Sequence, residues 1–463
     1  MKTNRFFPLL IPVVVLLLFA SCIREVAQEA NDTQNSLTRE EAQVLYWHSR
    51  HNKAVSYKEA EANVETLIDL FSENTRSGGK KRILNATVLP SSGGGSSTTR
   101  SGEVPADTAV YLFNFADNGG FAMISGDIRT ERFLCFVEDG NLNPDEEITN
   151  PGLAIFLSHA EDALKAQKER ADSLTNALLP AATKKADQLS QQSTGTRSGI
   201  YISLDDGVGP LLTTTWNQDP PYNKYCKTTA GELAYVGCVA VATAQIMAYW
   251  EKPSWKPWAA MKANTDDESI AMLMSEIGTG VYMNYAVYGG TEGSGASSSN
   301  VPVYLKSGSV GLHSGNLTNY SSESWETNGF KQQLDARRPI YMRGNAIKVT
   351  TTTTTTTYYY FLGICYKTKT KTSTNTAYEE GHAWVCDGYR TFSCNNNGVI
   401  TTPILLHMNW GWQSAWYYNG YYNATCFDTN MGSVTRSGTS GYYQYNLQYI
   451  PGIYAIMPTG GEM

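Results

Sequence analysis

The stretch Gly237-Cys238-Val239-Ala240-Val241-Ala242-Thr243-Ala244-Gln245-Ile246-Met247 decides how the rest of the chain is read. Val239, Ala242, Ile246 and Tyr249 or Trp250 recur at helical spacing, so the pattern predicts a helix that opens at Cys238 behind a small-residue turn. A cysteine in the first turn of a helix meets unpaired N–H groups and the positive end of the helix dipole, and both favour thiolate over thiol. A cysteine taken alone is more often a small buried residue. The rest of the chain therefore has to supply what a nucleophile needs.

With 463 residues the chain has room for two or three domains. Its 36 basic residues against 43 acidic ones, net charge −7, argue against a nucleic-acid partner. At the start, Lys2 and Arg5 precede an apolar run from Phe6 to Phe19 that is too short to span a membrane comfortably. Ala20-Ser21 then stand before Cys22, the pattern of a bacterial lipoprotein signal with Cys22 as the acylated residue. An ordinary signal peptide is the alternative. Either places the protein outside the cytoplasm, in the cell envelope or released, and the anchor is its expected membrane contact. Removing Cys22 from the eight cysteines leaves an odd number, which implies at least one free thiol and up to three disulfides. No CxxC and no zinc-type spacing of cysteine and histidine occurs, so neither a metal nor a cofactor is expected.

Along the chain, 23–102 reads as one amphipathic helix from Ser56 to Phe71 followed by a Gly/Ser/Thr-rich segment with a short strand around Ile83 to Val88. Residues 103–178 read as an α+β core. Ala109–Phe115 and Gly120–Ile124 form a hairpin around Asp117-Asn118-Gly119, Phe133–Val137 is a third strand, and Leu153–Leu178 is a helix. Residues 179–199 read as a solvated linker. One of four copies of Thr-Arg-Ser-Gly falls there, which makes Arg197 a candidate processing site.

The second domain spans 200–463. The β-branched and aromatic run from Ile347 to Tyr366, with eight consecutive threonines, predicts a protruding hairpin or sheet extension. Gly381 to Tyr389 alternates as a strand, Pro403 to Trp412 is another, and Gln413 to Tyr443 reads as a long mobile loop.

A thiolate needs a base that takes its proton and returns it to the leaving group. Of the histidines in the second domain, His382 follows a glycine at the start of its strand and has small Ala383 beside it, so its ring can face a cleft. His407 sits mid-strand after two leucines and reads as a packed core residue. The oxyanion hole could use the Cys238 N–H and the side-chain amide of Gln218, held in a Pro-rich turn.

Taken together, Trp216-Asn217-Gln218 with Pro221-Tyr222-Asn223, Gly237-Cys238 through Met247, Gly381-His382-Ala383 and Asn409-Trp410-Gly411-Trp412 resemble the streptopain family of secreted cysteine endopeptidases. Tyr111 to Asn114, Gly119 to Phe121 and Ser125 to Asp127 resemble that family's inhibitory propeptide. The resemblance implies a papain-like two-lobed α+β peptidase domain preceded by an α+β propeptide. It implies Cys238 as nucleophile, His382 as general acid/base, Gln218 as oxyanion donor, and Asn409 and Trp410 as residues that flank and orient the imidazole. Gly381, Ser294 and Gly295 would bind substrate backbone. Partners would be peptide or protein substrates and the chain's own propeptide, with the enzyme acting as a monomer. Gln413 and Ser414 depart from the family's paired glycines, and the span from His382 to Asn409 is longer than in streptopain. Two other readings remain: a cell-wall amidase, active on peptidoglycan and not on casein, and a non-catalytic adhesin indifferent to alkylation of Cys238.

Overall fold

The computed structural model describes residues 45–46, 49–50, 52–72, 80–90, 97–98, 108–190, 200–320, 329–350, 355–371, 376–396, 399–413, 417–427 and 447–456. Cys22 and Arg197 lie outside these residues. The chain divides into a small unit (1–53, 168–200 and 395–400) and a large one (54–167, 201–394 and 401–463). All that bears on the site lies in the large unit.

Its N-terminal module begins with helix α1 (Tyr57–Ser72), capped by Ser56, whose Oγ accepts the Glu59 N–H at 3.2 Å. Ala60, Val64, Leu67, Ile68 and Phe71 recur along one face and are buried, each large side chain contributing about 1.5–3 kcal/mol. Phe71 stacks on Phe136 with ring centroids 4.3 Å apart. Strands β1 (Ile83–Pro90), β2 (Thr108–Phe115), β3 (Phe121–Ser125) and β4 (Phe133–Val137) pair antiparallel in that order. The turn between β2 and β3 holds Asp117 and Asn118 at φ 60° and 52°, a left-handed conformation that short polar side chains tolerate.

Helix α2 (Pro151–Ser190) follows and runs past Leu178. Residues 179–190, expected to be linker, are therefore helical: Ala, Lys and Gln are strong helix formers that carry the turn beyond Pro180. The expected boundary at 178 shifts accordingly.

The C-terminal half supplies β5 (Ile200–Val208), the cysteine helix α3 (Cys238–Trp250), α4 (Trp258–Lys262), α5 (Asp267–Gly280), β6 (Ile340–Thr350), β7 (Thr355–Phe361), β8 (Ile364–Lys371), β9 (Thr376–Asn396), β10 (Ile404–Asn409), β11 (Gly420–Asn423) and β12 (Gln448–Ile450). The threonine-rich stretch forms the hairpin β7–β8, turning at Leu362-Gly363 with φ 46° and 86°. Helices α3, α4 and α5 share a core with Trp216, Val236, Tyr341, Ala383, Val385 and Ile450.

One 13-stranded sheet joins the two halves, with the principal order β1-β2-β3-β4-β11-β10-β9-β6-β12. The seam is β4 against β11, with Val137 opposite Gly420, Phe136 opposite Tyr421 and Cys135 opposite Tyr422. Gly420-Tyr421-Tyr422-Asn423 falls inside the stretch expected to be a loop. Its composition hides a strand because its pairing partners come from β10 and from the distant N-terminal module, a tertiary override of local signal. One continuous apolar core, from Leu112, Leu153 and Phe156 to Trp384, Trp410 and Phe427, crosses the same seam. Cys135, Cys226, Cys238, Cys386, Cys394 and Cys426, the cysteines whose side chains are described, are all free thiols.

At the head of α2, Gly152 abuts Trp410, and a Cβ built there would lie 2.2 Å from Cε3 and 2.4 Å from Cδ2 of the indole. Trp410 is fully buried and has nowhere to move. Gly152→Val is therefore expected to destabilise the intact chain by about 1–3 kcal/mol through overpacking, read as a lower urea midpoint with an unchanged slope.

Candidate active site

Gly237 caps α3 at φ 91° and ψ 130°, a backbone that disfavours any side chain. A Cβ at this position would also lie 2.6 Å from Met283 Sδ and 3.2 Å from the Ser294 carbonyl oxygen. The small-residue turn thus serves two needs, aiming Cys238 and admitting the 283–295 segment against it. Ser294 Oγ accepts the Ala286 N–H at 3.0 Å, while Asn284 and Gly295 exchange backbone bonds of 2.9 and 3.0 Å. Gly295 is exposed, with open space above its Cα.

His382 lies on β9, buried, with Nε2 2.7 Å from the Trp410 carbonyl oxygen. A carbonyl only accepts, so Nε2 carries the proton and Nδ1 keeps its lone pair. The ring lies parallel to Trp384 at 6.2 Å and edge-on to Trp412 at 6.0 Å. Burial holds the imidazole down to about 4, with the Trp410 carbonyl pulling the other way.

Cys238 is partly exposed. Burial nevertheless pushes its thiol above the ordinary value, against the backbone N–H groups of Ala383, Val239 and Cys238 itself and the Arg343 guanidinium, which pull it down. The sulfur is therefore placed beside Ala383, the residue after His382. Desolvation outweighs the dipole and amides on the thiol and lowers the imidazole, so both shifts run toward the neutral thiol and neutral imidazole, against the thiolate expected from the helix terminus.

Gln218 is buried, and its backbone carbonyl accepts the Val236 N–H at 3.2 Å, which ties it two residues from Cys238. Asn409 does not reach the imidazole as expected. Its Oδ1 accepts from Gln245 Nε2 at 3.1 Å and from the Gly411 N–H at 3.2 Å, and its Nδ2 donates to the Thr214 carbonyl at 2.9 Å. Asn409 thus fastens the end of β10 to α3 while Trp410, next in sequence, supplies the carbonyl that orients His382. Gly381 is exposed beside that ring, across β6 from Asn345.

His407, expected to be a packed core residue, is buried but sits between two carboxylates. Its Nδ1 is 2.5 Å from Asp387 Oδ1, and its Nε2 lies 3.7 Å from Glu138 Oε2 of the N-terminal module. Burial alone would lower this imidazole, but Asp387 and Glu138 raise it to about 10. Asp387 Oδ2 also accepts the Leu212 N–H at 2.8 Å. A buried histidine after Leu405-Leu406 gives no local sign of carboxylates that come from another strand and another module.

The N-terminal module grips the chain just after the tryptophans. The Glu138 N–H donates to the Asn419 carbonyl at 3.1 Å, the Tyr417 N–H to Asp139 Oδ2 at 2.9 Å, and Asn150 Nδ2 to the Tyr417 carbonyl at 3.0 Å. Phe156 packs edge-on to Tyr422 at 4.7 Å. Buried His159 of α2 lies against the backbone of Asn345, the cross-strand neighbour of Gly381. Among the described residues no group of three His, Cys, Asp or Glu could hold a metal ion.

The model of the Peptidase C10 family matches residues 216–257 and 255–422, and that of the Spi protease inhibitor matches 52–164. Streptopain of Streptococcus pyogenes is 24% identical over 285 residues, which are 51% of this chain and 64% of streptopain's own length. Among solved structures, a fragment of prointerpain A from Prevotella intermedia is similar with TM-score 0.46 at 22% identity, covering 75% of this chain and 96% of that one. Interpain A cysteine protease of the same organism gives 0.34 at 24% identity, covering 54% and 96%.

The His407 cluster gives the stability of the intact chain a defined pH dependence. A histidine raised from 6.5 to about 10 contributes stability that is fully present below pH 6.5 and lost as pH rises through about 10. Urea midpoints should therefore decline across pH 7 to 10. In Asp387→Asn the chain should be weaker at pH 7 by about 3–5 kcal/mol and this decline should flatten, because the histidine has lost its main counter-charge.

Proposed function

Residues 216–422 are a domain of the Peptidase C10 family behind a Spi-type inhibitor domain at 52–164, and on that premise we propose that the chain is a cysteine endopeptidase made as a zymogen. The observation that carries this reading is the Nε2 anchor of His382 on the Trp410 carbonyl, with the Cys238 sulfur beside the Ala383 amide. That anchor fixes the tautomer a general base needs, leaving Nδ1 to receive the thiol proton.

In the proposed reaction the proton passes from Sγ to Nδ1 as sulfur attacks the peptide carbonyl. Negative charge gathers on the carbonyl oxygen, where the Cys238 N–H at the head of α3 and the Gln218 side chain donate. The imidazolium then protonates the departing amine, leaving an acyl-enzyme. Water, deprotonated by the same imidazole, cleaves the thioester and restores the thiol. Gly381 with Ser294 and Gly295 would hold the substrate backbone on either side of the cleft.

The N-terminal module supplies the inhibition. Gly152 covers Trp410, His159 lies against Asn345, and β4 is paired with β11, so the cleft wall bearing His382 is packed under the module. Burial under this wall disfavours the imidazolium, and removal of the module would raise the dielectric around His382 and ease formation of an ion pair with Cys238. We place the activating cut in 191–199, with Arg197 as the preferred site. Lipidation at Cys22 would tether the enzyme to the cell envelope outside the cytoplasm, and it would act as a monomer on protein or peptide substrates.

Cys238→Ala should lower casein and peptide cleavage by at least about 10³-fold, and His382→Ala comparably, because the two act as one unit. Gln218→Ala should lower turnover about 10²-fold with little change in KM, as befits a donor to the transition state. Purified wild-type chain should trim itself near Arg197 while Cys238→Ala stays full length. Equal trimming of both in the absence of any other protease would refute self-processing.

A further inference from the structure

Arg343 stands on β6 directly opposite Ala383, with Gly344 opposite His382 and Asn345 opposite Gly381. Its Nη2 donates to Asn345 Oδ1 at 2.7 Å and its Nη1 approaches Gln448 Oε1 at 3.4 Å. Both partners are neutral carboxamides, and among the described residues no carboxylate pairs with this guanidinium. Two amides thus hold the fork without cancelling its charge, and they occupy Nη1 and Nη2 only in part, since among the described residues each nitrogen meets one acceptor. The side chain is partly exposed and the neighbouring Gly381 is exposed.

The bond to Arg343 fixes which amide atom of Asn345 is the accepting oxygen, so the other, Nδ2, is the donating nitrogen. That nitrogen lies 3.2 Å from the point where a Cβ on Gly381 would sit, with the Gly344 carbonyl oxygen 3.7 Å and Arg343 Nη2 3.8 Å from the same point, so a group entering here meets two donors and one backbone acceptor. Two donors, one of them cationic, therefore converge beside a residue that offers no side chain of its own. A carboxylate is the group that matches such a pair, since charge-assisted bonds to arginine are the strong ones.

We infer that Arg343, aided by Asn345, is a specificity-determining residue that selects substrates carrying an acidic side chain where the peptide passes over Gly381. The inference rests on the peptidase reading given above. Within the chain, the same guanidinium also acts on the Cys238 sulfur. That effect is shared by every substrate, so it cancels when two substrates are compared on one enzyme.

The test uses the full chain after proteolytic activation and fluorogenic peptides in which each of the four residues before the scissile bond is in turn Glu or Gln. Wild type should prefer Glu at one of these positions by about 10-fold or more in kcat/KM, the scale of a hydrogen bond to a charged group, and R343Q should bring that ratio to about 1. The wild-type preference should also shrink as NaCl is raised. An unchanged ratio in R343Q, or a loss equal for both peptides, overturns the assignment. Peptidyl chloromethyl ketones with Glu or Gln at each of the same positions alkylate Cys238 without turnover. Faster wild-type labelling by a Glu reagent, abolished in R343Q, would uphold the assignment even if no peptide were cleaved, in which case only the peptidase reading would fail. Equal labelling by both reagents at every position would overturn the assignment.

Discussion

The carbonyl of Trp410 holds the imidazole of His382 at 2.7 Å, and nearly every other feature of the site depends on that residue staying where it is. Its indole is fully buried and packs on Trp384 at 5.2 Å between centroids. Its Nε1 donates to the Tyr418 carbonyl at 3.0 Å and to the Tyr422 hydroxyl at 3.1 Å, and its backbone N–H to Asn419 Oδ1 at 3.0 Å. Through these contacts the segment 418–422 and the histidine are set together. Asn409 adds the link to α3 through Gln245, so the helix that presents the sulfur and the strand end that orients the imidazole share one hydrogen-bonded chain.

The N-terminal module exploits this dependence. It bears on what supports the histidine: Gly152 on the Trp410 ring, Asn150 and Asp139 on Tyr417, and β4 on β11. The Glu138–His407–Asp387 cluster, buried at His407 and Asp387 and part-exposed at Glu138, ties that seam together with charge. Breaking one member would leave the others unpaired in a low dielectric, so the cluster penalises alternative dockings more than it adds to stability. Electrostatics at the nucleophile follow from the same packing. A helix terminus and backbone amides favour the thiolate, yet the net push on the thiol is upward because burial is the larger effect.

Much of this was legible in local pattern. The turn at Gly237, the helix behind Cys238, the strand carrying His382, the hairpin at Asp117-Asn118 and the threonine-rich hairpin are each set by neighbours in sequence, through helical spacing, alternation or turn chemistry. The misreadings share one cause. The strand at 420–423 looks like a loop because its partners are β10 and β4. The resemblance implies that Asn409 orients the imidazole, whereas its amide reaches back to Thr214 and Gln245. Arg343 passed unnoticed because nothing in its own strand shows that Gly381 and Ala383 lie across from it.

The sequence by itself determined which groups are available for chemistry and which short elements carry them, since φ preferences, periodicity and residue type act over a few positions. Only the tertiary structure decided their protonation and their company. Those depend on burial and on contacts between strands far apart in the chain, such as the imidazole raised by Asp387 and Glu138, the thiol pushed up by burial, and the arginine held by two carboxamides beside Gly381. The field at an atom is the sum over everything around it, and that surrounding exists only once the chain has closed on itself.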